Sequence, residues 1–203
     1  YLHSNGRATG LDGDGGISRE APAVEPPDVF LYHPLNPVPT VGGGGVSDQR
    51  AVERRTDVLV YTTAPLPQPL EVTGPVRLVL HASSSAPDTD FTAKLVDVAP
   101  NGYARNLCEG ILRARYRNSP SCAELMESGR PYELSVDMLA TSNLFQIGHQ
   151  LRLEISSSSF PRFDRNSNTG VPVGTARSFE PALQTVYHDA DHPTHLMLPV
   201  IPR

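Results

Sequence analysis

Apolar residues recur at every second position through much of the chain, the period of a half-buried β-strand. Val76-Arg-Leu-Val-Leu-His-Ala82 sets Val76, Leu78 and Leu80 on one face. Tyr132-Glu-Leu-Ser-Val-Asp-Met138 and Gln150-Leu-Arg-Leu-Glu-Ile-Ser156 repeat the pattern. Val58-Leu-Val-Tyr-Thr62 and Phe91-Thr-Ala-Lys-Leu-Val-Asp-Val98 are further strands, the second closed by the turn Pro100-Asn-Gly102. Ile111 to Arg117 alternates cleanly: Leu112, Ala114 and Tyr116 face one way, Arg113, Arg115 and Arg117 the other. His195 to Ile201 is the last strand, with Pro199 marking an edge or a bulge. Strands at this spacing predict an all-β sandwich, with a jelly roll as the expected topology. Helices are expected to be few and short, with Ala123-Glu-Leu-Met-Glu127 as one turn.

The N-terminal part reads differently. Tyr1-Leu-His-Ser4 looks like the inside of a strand, but Pro, Gly and acidic residues then cluster at Asp12 to Gly16, Glu25 to Pro27 and Gly42 to Gly45. The expected organisation is one domain, 1–203, with a loop-rich part at 1–55 and the main sandwich at 56–203. The start on Tyr1, without an initiating Met, suggests a piece excised from a longer protein. Localisation is left open, leaning to the cytoplasm.

Composition narrows the classes. Twenty Pro and sixteen Gly in 203 residues suit a loop-rich β fold. A formal charge of -5 argues against a nucleic-acid partner, which needs a basic surface. No apolar run approaches the roughly 20 residues that span a bilayer, so no membrane partner is expected. Cys108 and Cys122 do not make a disulfide framework, although a single bond between them is geometrically possible.

Candidate chemistry is weighed residue by residue. The nucleophile elbow G-x-S-x-G is absent; Ser47, in Gly45-Val-Ser-Asp-Gln49, lacks the second glycine. No catalytic residue is therefore assigned. His188, His192 and His195 have a spacing that zinc could use, against the plainer reading of a polar turn before the last strand. Asp12-Gly-Asp-Gly-Gly16 opens like a calcium loop but has Ala23 at its twelfth position, and Asp88-Thr-Asp90 is a second acidic pair; both read more simply as turns. No metal or other cofactor is expected. With no Trp, an aromatic sugar-binding platform is disfavoured, though seven Tyr leave a carbohydrate- or small-ligand-binding module as the alternative function. The arginine row 113, 115, 117 reads by default as the solvated face of an amphipathic strand, against the functional reading of ion pairing with an acidic surface of a neighbouring domain. Phe160 to Gly170 has two open readings. Its Asn and Asp side chains cap their own backbone, or the loop is an interdomain clamp built from Phe160, Arg162, Phe163, Asp164, Arg165, Asn166 and Asn168.

Many ordered segments carry a resemblance. They include Asp28-Val-Phe-Leu-Tyr32, Asn36-Pro-Val-Pro-Thr-Val-Gly-Gly43, Asp48-Gln-Arg50, Leu70-Glu-Val-Thr-Gly-Pro75, Ser83 to Val98, Gly110 to Arg117, the Asn-rich loop and His192-Pro-Thr-His-Leu-Met-Leu-Pro199. Together they resemble the C-terminal jelly-roll domain of the cocaine-esterase and X-prolyl dipeptidyl-peptidase family of serine hydrolases. The resemblance implies a galactose-binding-like jelly roll that follows an α/β-hydrolase domain holding the Ser-Asp-His triad, upstream of this chain. It implies packing on that hydrolase domain as the main partnership, shaping of its site, and support for homo-oligomers. The glycine-rich loop Gly42 to Ser47, with Val46 as its one sizeable apolar side chain, is too short to promise a direct part in the pocket.

Overall fold

The computed structural model describes residues 1–42 and 46–202; the middle of the glycine-rich loop and Arg203 lie outside it. In chain order its strands are β1 Leu2–His3, β2 Gly16–Ile17, β3 Asp28–Tyr32, β4 Leu59–Thr62, β5 Leu70–Ser84, β6 Asp90–Val98, β7 Ala104–Arg113, β8 Tyr132–Phe145, β9 Gln150–Ser156, β10 Ala182–Tyr187, β11 His195–Met197 and β12 Val200–Ile201. They form two sheets packed face to face, the expected all-β sandwich. Sheet A runs β1-β2-β4-β9-β6-β7. Sheet B is built on the long β5, which pairs with β8 along one edge and with β12, β11 and β10 in succession along the other. β3 closes that side as the outermost strand, antiparallel to β10.

The alternation seen in the sequence is what fills the interior. Val72, Val76, Leu78 and Leu80 of β5 and Leu134, Val136 and Met138 of β8 meet Phe91, Ala93 and Leu95 of β6 and Leu151, Leu153 and Ile155 of β9 in one core. Fully burying each Val, Leu, Ile, Phe or Met among them contributes about 1.5–3 kcal/mol. Pro75 has no N–H to give the ladder, and the β5–β8 register shifts between Pro75 and Arg77. Gly110 brings β7 against β8 so closely that an added Cβ would overlap the Asp137 carbonyl.

Every residue of β6 is buried, on both faces. The second face is covered by chain from the loop-rich part. Val38 and Val52 pack with Val58 and Val60 there. A strap, residues 46–58, is tied down by the Asp48–Arg105 bridge and by Gln49 N–H donating to Ala104 O at 2.8 Å.

Several expectations are corrected. β7 ends at Arg113 and gives way to a 3-10 turn at Ala114–Tyr116, so the three arginines form no strand face. Ala123 to Glu127 is not helical. The last strand is two, β11 and β12, separated at Leu198 and Pro199. The open question of the cysteines has an answer as well: both are free, Cys108 buried and Cys122 exposed.

Candidate functional site

The arginines missing from the surface organise a polar cluster at one end of the sandwich. Arg113 grips Asp90 with Nε and Nη2, both at 2.9 Å, and reaches Asp164 at 2.9 Å. Arg115 is buried, bonding Asp88 at 2.8 Å and the Val171 carbonyl at 2.8 Å. Arg117 pairs with Glu124 at 2.9 Å and lies over the Tyr132 ring. Forked guanidinium–carboxylate pairs are the strong kind of charged hydrogen bond. Burial pushes Asp90 above the ordinary carboxylate range, against the pull of Arg113.

The Asn-rich loop closes over this cluster. Asn166 donates from Nδ2 to both Asp88 and Asp90 at 2.8 Å, and its Oδ1 accepts the Asn168 N–H at 2.9 Å. Asn168, at φ +63°, donates to the Glu180 carbonyl at 2.7 Å; the left-handed region is one that Asn tolerates well. The outer half of the loop points elsewhere. Arg165 is stacked between the Phe160 and Phe179 rings, 5.2 and 5.0 Å from their centres, and donates to the Pro34 carbonyl. Arg162 pairs with Glu109 at 2.9 Å and covers the Phe163 ring. A cleft of about 200 Å³ lies between Arg113, Asp164, Arg165 and Phe179.

Through Pro34 the loop adjoins an apolar surface. Leu31 of β3 and Leu183 of β10 are direct register partners, 55% and 48% exposed, with Val29 beside them at 40% and Leu35 beyond at 63%. Beside them is a hollow of about 620 Å³, lined by Leu31, His33, Leu35, Asn36, Arg54 and Arg55 among others. The outer edge of β3 pairs with no strand among the described residues.

One constellation imitates a catalytic triad. His188 Nε2 lies 3.1 Å from Ser4 Oγ, and its Nδ1 lies 3.1 Å from Glu25. Yet Nε2 is also 2.9 Å from Asp28, and the Ser4 hydroxyl donates to Asp28 at 2.6 Å. Burial lowers the His188 pKa, but the Asp28 and Glu25 carboxylates outweigh it and hold the imidazole above its ordinary value. An imidazolium with a carboxylate on each nitrogen has no lone pair to accept a serine proton. The group is sealed, with Tyr61 donating to Asp28 at 2.8 Å and Ala8 N–H at 2.7 Å. It ties the segment after β1, β3, β4 and the segment after β10 together.

The metal alternatives dissolve in the same way. His188 is engaged as above, His192 stacks between Tyr187 and His81, and His195 donates to the Pro193 carbonyl. Asp88 and Asp90 belong to arginines, and Asp14 accepts from Asn5 and Arg7. Among the described residues no group of three or more His, Cys, Asp or Glu is placed to hold a metal ion.

A family model described as the X-Pro dipeptidyl-peptidase C-terminal non-catalytic domain matches residues 1–197. The chain belongs to this family. Cocaine esterase of Rhodococcus sp. (strain MB1 Bresler) is 46% identical over 213 residues, which take in 100% of this chain and 37% of the esterase. Two solved structures agree. An aminopeptidase from a marine sediment Thaumarchaeota archaeon gives a TM-score of 0.86 at 31% identity, over 100% of this chain and 37% of that one. An α-amino acid ester hydrolase gives 0.86 at 30% identity, over 98% and 36%. The chain therefore spans little more than a third of the length of the proteins it matches.

Within this domain the predicted clamp residues divide. Asn166 and Asn168 are buried and spent on the domain's own turn, whereas Phe160, Arg162 and Asp164 are exposed and Phe163 and Arg165 half-buried. The exposed face of β3 and β10 went unread in the sequence. A signal was there: Asp28 to Tyr32 places Val29 and Leu31 opposite Phe30 and Tyr32, apolar on both faces, as a strand covered on both sides would be.

Proposed function

We propose that this is the non-catalytic C-terminal domain of a serine hydrolase, of the acyl esterase or X-Pro dipeptidyl-peptidase type, and that it packs on the hydrolase domain and shapes its site. The observation that carries the reading is the continuous half-apolar face running from Leu183, Val29 and Leu31 through Leu35 to Phe160 and Arg165. Contiguous exposed apolar groups of this kind mark interaction surfaces. A docked interface within one chain buries about 600–1,500 Å², enough to orient a neighbour. The polar cleft supports the same reading, since its arginines and carboxylates bond one another rather than facing a ligand. The alternative, an independent carbohydrate-binding module, would need those groups free.

The test is a protein carrying hydrolase domain and this domain together, as wild type and as Leu31→Asp/Leu183→Asp. The double change should lower the thermal midpoint of the hydrolase domain by several degrees and reduce kcat/KM, while the same change in this chain alone leaves its melting unaltered. A hydrolase domain equally stable and active when severed from this chain would overturn the reading.

A further inference from the structure

The covered face of sheet A carries a row of buried charges that the docking reading does not use. Glu109 on β7, Lys94 on β6 and Glu154 on β9 are register partners across three adjacent strands. The strap lays Gln49 and Glu53 over them. Glu53 N–H bonds the Gln49 carbonyl at 3.0 Å, a single helical turn that turns both side chains to the sheet. All five residues are buried.

Most of the polar atoms have partners. Lys94 Nζ donates to Gln49 Oε1 at 2.9 Å and lies 3.6 Å from Glu154 Oε2. Arg152 donates to Glu53 Oε2 at 2.8 Å and to Thr62 Oγ1 at 2.9 Å. Glu109 takes Arg162 at 2.9 Å and the Ser159 hydroxyl at 3.4 Å. Glu53 Oε1 and Glu154 Oε1 are left, both buried and both without a donor. Arg152 and Glu154 are two apart on β9 and so share its covered face, which sets the Glu53 carboxyl that Arg152 holds beside that of Glu154. Two carboxylates are acceptors only and cannot bond unless one keeps its proton. An O–H on one, donated to the other, satisfies both orphaned oxygens at once.

We propose that Glu53 and Glu154 are a proton-binding site, one proton held between two carboxyls, which latches the strap to sheet A and frees it when the proton leaves. The surrounding groups offer no donor to the two orphaned oxygens. Lys94 from β6 and Arg152 from β9 are directed at the far oxygens, β4 offers the apolar Val60 opposite Glu154, and the strap adds neutral Gln49. Once the proton goes to solvent, two bare anionic oxygens face each other in a dry layer, one on the strap and one on the sheet. Burial sets the point of release, pushing Glu154 up to about 8, with Lys94 opposing and the Glu53 charge adding to the rise. The strap also carries Arg54 and Arg55, which line the hollow beside Leu31. Resting on the docking reading, the latch would therefore couple docking to pH.

The experiment is a carboxyl-carbon NMR titration of the chain from pH 4 to 10, with amide hydrogen exchange across the strap, on wild type, Glu154→Gln and Glu53→Gln. One glutamate should titrate near pH 8. Amides at Gln49 to Arg55 should exchange at least tenfold faster at pH 9 than base catalysis alone explains. In Glu154→Gln an amide N–H replaces the shared proton, and the excess exchange should vanish. Glutamates that all titrate below pH 6 in wild type would overturn the proposal, even where a variant fails to fold, and so would excess exchange that persists in Glu154→Gln. If the latch titrates but association with a separate hydrolase domain does not change with pH, the proton site stands and its link to docking falls.

Discussion

His188 shows what a single residue can hold in this fold. Its two nitrogens join a serine and an aspartate from the first thirty residues with Glu25, and none of these partners is near it in sequence. The sign of its effect on stability follows from the three pKa shifts. His188 is held above its ordinary 6.5, so its contribution is complete below about pH 6.5 and is lost as the pH rises through the folded value. Hydrogen bonds hold Asp28 below its ordinary 3.8 and Glu25 below 4.5, although burial works the other way. Their contribution is present above those values and is lost on acidification. The network is then strongest at about pH 5–6. His188→Gln should cost about 1–3 kcal/mol there, by loss of charged hydrogen bonds. The difference between wild type and variant in denaturant midpoint should shrink toward pH 8–9. A difference that stays constant from pH 5 to 9 would mean that the imidazole is neutral in the fold.

At the scale of elements, what was legible was whatever local periodicity controls. β9 matches its expected span, and β4, β5, β6 and β8 begin from their alternating cores, because one face of each strand meets the sandwich interior whatever the rest of the chain does. What was not legible depends on distant partners. Arg113 and Arg115 alternate like a solvated face, but Asp90 and Asp88 lie more than twenty residues away, and only the fold shows that they pair. The buried outer face of β6 depends likewise on the strap. Gly110 is the sharpest case. Nothing around it in sequence marks a close approach, yet β7 reaches the β8 backbone through it. Gly110→Ala should cost more than about 3 kcal/mol, since the clash is with backbone and cannot be relieved by turning a side chain. Gly102→Ala has open space around its Cβ and only its φ of +83° against it, so it should cost about 1 kcal/mol. Denaturant melts of the two variants give the comparison, and equal losses would mean that the sheets separate readily at this edge.

At the scale of the whole molecule, charge is distributed against its own average. The chain is formally -5, yet two guanidiniums stand on the half-apolar face without an ion pair among the described residues: Arg54 beside the hollow, and Arg165, stacked on rings and bonded to a carbonyl. The other arginines nearby are neutralised, Arg55 by Asp57 and Arg162 by Glu109. Positive charge on an otherwise acidic body steers encounter with an acidic partner, and steering acts on association rates and fades once the screening length falls below the charge separation. If this face docks the hydrolase domain, association in trans should slow by about tenfold between 50 and 500 mM salt. Arg54→Glu should slow it similarly at low salt while changing dissociation little, because an exposed rim charge adds little once the surfaces have met. Surface plasmon resonance with an immobilised hydrolase domain separates the two rates. Association indifferent to salt would place the contact on the leucines alone, and a change confined to dissociation would place Arg54 inside the packed interface rather than at its rim.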